Sequence, residues 1–177
     1  MNTESEEIKN KVANSSLEAL NLGDFYPEGE RIVIDLKDHL FEGLILREKD
    51  FRAYLKNEDW TKYQNKYVAI TSTADAIIPQ WAYMLLASEL EPYAKKVVAG
   101  NKDTLETVLY MESLKENLHP ENYKDKRVMI RGCGDKDLPV SAFSDAVALL
   151  KPHVKSIMYG EACSNVPIYK SKNELTV

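Results

Sequence analysis

The feature that most constrains this chain is a pair of short apolar runs with a helix-spaced segment between them, near the C-terminus. Val128, Met129 and Ile130 form a β-prone run that leads into Gly132-Cys133-Gly134. Ile157, Met158 and Tyr159 form a second, leading into Gly160-Glu161-Ala162-Cys163-Ser164. Between them Val140, Phe143, Val147, Leu149 and Leu150 recur near helical spacing, and Pro152 stops that helix. Strand, helix and strand of this length read as a βαβ unit with parallel strands. Parallel strands present their C-terminal ends at one edge of the sheet, the edge at which open α/β sheets bind ligands. Both cysteines of the chain are therefore expected at that edge.

The rest of the chain reads as scaffold. Ile32–Leu36 is a strand, residues 40–46 a strand or tight turn, and Glu48 opens a helix through Phe51, Tyr54 and Leu55. A short helical link at Asp59-Trp60 leads to a buried strand, Tyr67–Ile70. Pro79 suits the first turn of the apolar helix that carries Trp81, Met84, Leu86 and Leu90. A strand at 96–100, a helix through Leu105 and Leu114, and a surface loop at His119–Asn122 complete the approach. Residues 1–23, with Ile8, Val12, Leu17 and Leu20, read as an N-terminal helical arm, and residues 24–177 as a single domain. The expected class is α/β: one three-layer domain, a mostly parallel sheet with helices on both faces, and antiparallel edge strands at the N-terminal side. Four loops, 71–76, 100–102, 132–138 and 160–166, are then expected at one edge. No internal repeat or low-complexity linker stands out.

Composition excludes several classes. A chain of 177 residues suits one domain with a sizeable core, and 44% hydrophobic with 29% charged residues is ordinary for a soluble globule. The net charge of −5 offers no basic surface for nucleic acid or an anionic membrane. No apolar run approaches bilayer length, and the polar, acidic start has no secretory h-region, so the expected compartment is the cytoplasm. Two cysteines in such a chain point to reduced thiols, metal ligands or redox groups ahead of a structural disulfide.

Cys133 and Cys163 are accordingly the lead candidates, as a two-thiolate metal site or a thiol–disulfide pair. Zinc or iron would need two further ligands, drawn from Asp75, Asp135, Glu161 or His39, with Asp75 and Glu161 preferred. Gly132, Gly134 and Ser164 are the positions where backbone can approach a bound group and direct N–H groups at an anion. Each candidate has a plain alternative. Free cysteine packs well in cores, and no CxxC spacing is present. Asp75 suits a helix cap with Ser72 or Thr73, and Glu161 suits backbone N–H groups in its own loop. His39, His119 and His153 form no metal-binding motif. The absence of GxGxxG, GxxxxGK[ST] and GxSxG leaves nucleotide binding and α/β-hydrolase chemistry without support.

The segments VAITSTADAIIPQWAYMLLASEL, VMIRGCGD, SIMYGEACSNVPIYK and GERIVIDLKDHLFEGLILREKDFRAYL together resemble an uncharacterised family of bacterial proteins defined as a domain of unknown function. The resemblance runs from about Asp24 to Lys170. It implies a setting often near iron–sulfur assembly genes. Members often carry a cysteine around Thr71, and here the chain departs from them. Three readings follow: a cytosolic thiol- or metal-site protein, an accessory of iron–sulfur or sulfur handling; an enzyme acting on a small anionic metabolite at the same edge; or a non-catalytic adaptor. The expected partners are another protein or a second copy, with no nucleic acid and no membrane. The residues do not decide whether the chain is an enzyme.

Overall fold

The computed structural model describes residues 17–132, 134, 136–161 and 164–172. Along the chain the elements are β1 (Leu17–Asn21), β2 (Arg31–Asp35), α1 (Glu48–Asn57), β3 (Tyr67–Thr71), α2 (Gln80–Leu90), β4 (Lys96–Ala99), α3 (Lys102–Asn117), β5 (Arg127–Arg131), α4 (Val140–Leu150), β6 (Ser156–Glu161) and β7 (Ser164–Lys170). The α/β class and the largely parallel pairing read from the sequence are what the structure shows. The strands are divided between two sheets, ordered β1-β5-β6-β7 and β2-β3-β4. The residues fall into two compact units: a middle unit, Pro27–Ser113, and a terminal unit from the segments up to Tyr26 and from Leu114 onward. Among the described residues no helix is long and apolar enough to cross a membrane.

The middle unit has three layers. Alternate residues of β3 point to opposite faces, as the two-residue period of a strand requires. Val68 and Ile70 join a core with Phe51 and Leu55 of α1 and Leu86 and Leu90 of α2. Tyr67 and Ala69 pack against Leu105 and Leu109 of α3 on the other side. Burying side chains of this size stabilises the unit by about 1.5–3 kcal/mol each. Local chemistry sets the ends. Glu48 and Asp50 lie in the first turn of α1 and Lys56 in its last, each complementing the helix dipole. The Trp60 indole N–H donates to the Leu55 carbonyl at 3.0 Å just past the exit of the helix. Residues 40–46 form the tight turn, with an isolated bridge between Phe41 and Ile45 and positive φ at Glu42 and Gly43.

The terminal unit holds the predicted βαβ: β5 and β6 are adjacent and parallel, with Ile130 opposite Tyr159. Three expectations change here. Leu17 and Leu20 belong to a strand and not to the expected helical arm, because β1 pairs in parallel with β5, Leu20 opposite Ile130, while the rest of that arm, with Ile8 and Val12, lies outside the described residues. The antiparallel pairing falls at the C-terminal side, where β7 folds back on β6 with Glu161 opposite Ser164. The early strands β1 and β2 both pair in parallel. A connection as short as that between β6 and β7 permits only antiparallel pairing, whereas β1 and β2 reach their partners through long crossovers.

The third change is an internal repeat. At a spacing of 60 residues, Trp60–Tyr63, β3, α2 and β4 recur as Pro120–Tyr123, β5, α4 and β6. The register holds without a gap, and Val68/Val128, Ile70/Ile130, Pro79/Pro139, Ala82/Ala142, Leu90/Leu150 and Gly100/Gly160 are identical pairs. The irregular features recur with it. Asn65 and Asp125 both take left-handed backbone, with φ of 60° and 58°. Their N–H groups donate at 2.9 Å to the carbonyls of Tyr93 and His153. The two edge strands match as well. Asn21 ends β1 and Asp35 ends β2, each accepting from the N–H two residues on and capping a short 3-10 turn.

Candidate functional site

The C-terminal edge of β5 and β6 is where the sequence reading converges, and two side chains define it. Arg131 ends β5, Glu161 ends β6, and the guanidinium Nη2 lies 3.0 Å from the carboxylate Oε2. Both side chains are about half exposed, and the Arg131 Nε is buried without a partner among the described residues. Sequence reasoning missed Arg131. Its signal was only a cation at the end of an apolar run, which looks like any surface residue until the neighbouring strand is known.

The predicted backbone-approach positions differ from one another. A Cβ on Gly132 would stand 2.3 Å from Cε1 of Phe143, so this glycine exists to let the ring lie against the strand end. Phe143 in turn meets Tyr159 edge-on, with centroids 5.7 Å apart. Gly134 faces open space. Ser164 is exposed and pairs opposite Glu161. Gly160 takes φ +124° with a Cβ position 2.5 Å from the Ser164 carbonyl, a geometry open only to glycine. Beside these residues, Ile130, Val140, Phe143, Val147, Tyr159 and Ile168 line a 350 Å³ apolar cavity. Cys133, Cys163 and Asp135 lie outside the described residues.

The expected ligand set does not come together as one group. Asp75 is exposed in the loop before α2 and belongs to the middle unit, whereas Glu161 belongs to the terminal unit. The four loops expected at one edge are likewise two from each unit, because the strands they follow lie in two sheets. His39 stacks on Tyr54 with centroids 3.9 Å apart, and burial holds its pKa below the usual value against the pull of Asp38 and Glu58. Among the described residues no three His, Cys, Asp or Glu side chains are grouped to hold a metal ion. Glu161 is already held by a guanidinium, which opposes a divalent cation at the same carboxylate.

The middle unit shows the same edge in another chemical form. There Asp35 accepts from the Thr73 N–H at 3.1 Å and from the Thr73 hydroxyl at 2.6 Å, tying the loop after β3 to the edge strand. Burial raises the Asp35 carboxyl, but the hydrogen bonds from Thr73 and Lys37 outweigh it and bring its pKa down to about 2. In the repeat register Asn21 matches Asp35, Cys133 matches Thr73, and Arg131 matches Thr71. The strand ends that carry a carboxylate and a threonine in one unit thus carry an amide and a guanidinium in the other.

No curated protein and no solved structure matches the chain. A family model described as a protein of unknown function (DUF2480) matches residues 6–171, which is nearly the whole chain, and the protein belongs to that family.

Proposed function

We propose that the C-terminal edge of the terminal unit is a thiolate site, and that the protein handles sulfur through Cys133 and Cys163. The observation that carries this reading is the Arg131–Glu161 pair across adjacent parallel strands. Each strand runs on within two residues to one of the two cysteines. A guanidinium fixed at that edge favours a thiolate over a thiol, and the thiolate is the nucleophile and the ligand. In sulfur handling, such a thiolate attacks the outer sulfur of a low-molecular-weight persulfide. The S–S bond breaks, the donor leaves as its own thiolate, and the protein carries the sulfur as a cysteine persulfide. Zinc or iron on the two thiolates is the weaker form of the same reading, because Arg131 opposes a cation and occupies Glu161. The setting near iron–sulfur assembly genes implied by the family resemblance fits the sulfur form, and the cytoplasm is the compartment that keeps such thiols reduced.

The test is the pH dependence of alkylation at each cysteine, read by peptide mass in the folded protein and in Arg131→Gln. At least one cysteine is expected to titrate below the ordinary value of about 8.5, to move upward in the variant, and to gain the mass of one sulfur from a persulfide donor. Ordinary titration at both cysteines, or reaction only after unfolding, sinks the proposal. Near-stoichiometric zinc or iron in protein purified without oxygen or chelator selects the metal form.

A further inference from the structure

At the opposite end of the same sheet lies a second place of unusual charge. The first residues of β5 and β6 and the last of β7 border a 340 Å³ cavity. Arg127, Lys155 and Lys170 bring three cations to its wall, Ser156 a hydroxyl, and Met158 and Tyr169 apolar surface. The Lys151 ammonium lies 5.4 Å from the centre of the Tyr169 ring. No carboxylate lines it among the described residues, although the chain as a whole carries a net charge of −5.

The repeat shows what a neutralised version of this place looks like. In the middle unit Tyr67 stands where Arg127 stands, and Lys95, the match of Lys155, lies over its ring at 5.0 Å. Arg31 lies over the same ring at 5.1 Å and is held by both oxygens of Glu106, at 2.9 and 3.2 Å. Lys96 is paired with Glu112. Both glutamates come from α3. In the terminal unit β7 lies against β6 at this end and supplies Lys170 opposite Ser156, a further cation in place of an acid. Among the described residues Arg127 and Lys155 take part in no ion pair. Two like charges held side by side at a concavity, as Arg127 and Lys155 are, repel one another unless an anion joins them.

We infer that this cavity binds a small organic phosphate. The phosphoryl group lies between the Arg127 guanidinium and the Lys155 ammonium, where charge-assisted hydrogen bonds to phosphate oxygens are strong. The Ser156 hydroxyl donates to a further oxygen, and the organic part lies on Met158 and the ring of Tyr169. The volume is at the small end for ligand sites and suits a phosphorylated sugar or aromatic acid ahead of a dinucleotide. The site is separate from the thiolate edge and stands without it.

The experiment titrates phenyl phosphate and inorganic phosphate into the full chain at low salt, following amide chemical shifts. Saturable binding of phenyl phosphate that moves the amides of Ser156 and Tyr169 is expected, tighter than inorganic phosphate and weakened by salt. The double variant Arg127→Gln with Lys155→Gln should lose about tenfold or more in affinity, the scale of one charge-assisted contact. Tyr169→Ser should remove the preference for phenyl phosphate and leave inorganic phosphate unchanged. Lys62→Gln, a cation paired with Glu58 in the middle unit, should change nothing. No saturable binding of either phosphate, equal binding by the double variant, or shifts confined to other residues overturns the inference. Equal affinity for the two phosphates in the wild-type chain overturns the role of Met158 and Tyr169.

Discussion

Asp35 receives two hydrogen bonds from Thr73, one from its backbone N–H at 3.1 Å and one from its hydroxyl at 2.6 Å, and so locks the loop after β3 to the neighbouring strand. Its folded pKa of about 2 lies below the unfolded value of 3.8. A depressed carboxylate contributes stability that is fully present above the unfolded pKa and is lost as pH falls through the folded one. Stability against denaturant should therefore fall as the pH drops from about 5 to 2, by up to about 2 kcal/mol from this residue. Asp35→Asn should cost about 1–2 kcal/mol at pH 7, while flattening the acid dependence. An unchanged acid limb in the variant would assign that dependence to other carboxylates.

The contact between Gly132 and Phe143 makes a second prediction. Gly132→Ala forces the Phe143 ring to move, since the added carbon would lie 2.3 and 2.5 Å from two ring atoms. Overpacking of this kind costs about 1–3 kcal/mol. The cost should shrink in a Phe143→Leu background, because the two positions share one space and their effects are not additive. A double-mutant cycle by thermal or denaturant unfolding reads it, and full additivity would mean that the glycine serves the loop and not the ring.

Arg131 and Glu161 make opposite contributions to the charge at the thiolate edge, so their variants should move the cysteines in opposite directions. Arg131→Gln raises the alkylation pKa, and Glu161→Gln lowers it by leaving the guanidinium unneutralised. Both shifts should stay within about one unit, since both side chains are about half exposed and screened by solvent. Rates of alkylation against pH for the two variants provide the comparison. Movement in the same direction would show that the pair acts through loop structure and not through charge.

These relationships were unequally visible in the sequence. The βαβ unit around β5 and β6 was legible because apolar runs, a helix-spaced segment and a proline stop agree at every level. β1 was not, since Leu-Glu-Ala-Leu carries strong helix formers and only Leu20 of the strand is buried. Its strand form comes from pairing with β5, a partner far along the chain. β7 was hidden by Pro167, which an edge strand tolerates because it needs no donor on its outer side. The repeat was obscured because its identical residues are mostly those with packing or backbone duties, such as Ala82 and Ala142. The strand-end and loop residues have diverged, Thr71 against Arg131 and Thr73 against Cys133. The cysteines could be picked out by type, but the Arg131–Glu161 pair required the adjacency of two strands.

The repeat itself can be tested through Asn65 and Asp125. Both adopt the left-handed backbone region, and both place an N–H on the carbonyl of the matching residue after the helix. Left-handed backbone is tolerated by Asn, Asp and Gly because a short polar side chain or no side chain relieves the steric cost, while alanine incurs about 1–2 kcal/mol. Asn65→Ala and Asp125→Ala should each destabilise by roughly that amount, and Gly at either position should be near neutral. The two positions belong to different compact units and share no hydrogen-bond partner among the described residues, so the double alanine variant should show the sum of the single effects. Denaturant unfolding of the four single variants and the double measures this directly. A large cost at one position with none at the other would mean that the turns resemble each other in shape while only one of them is held by its backbone conformation.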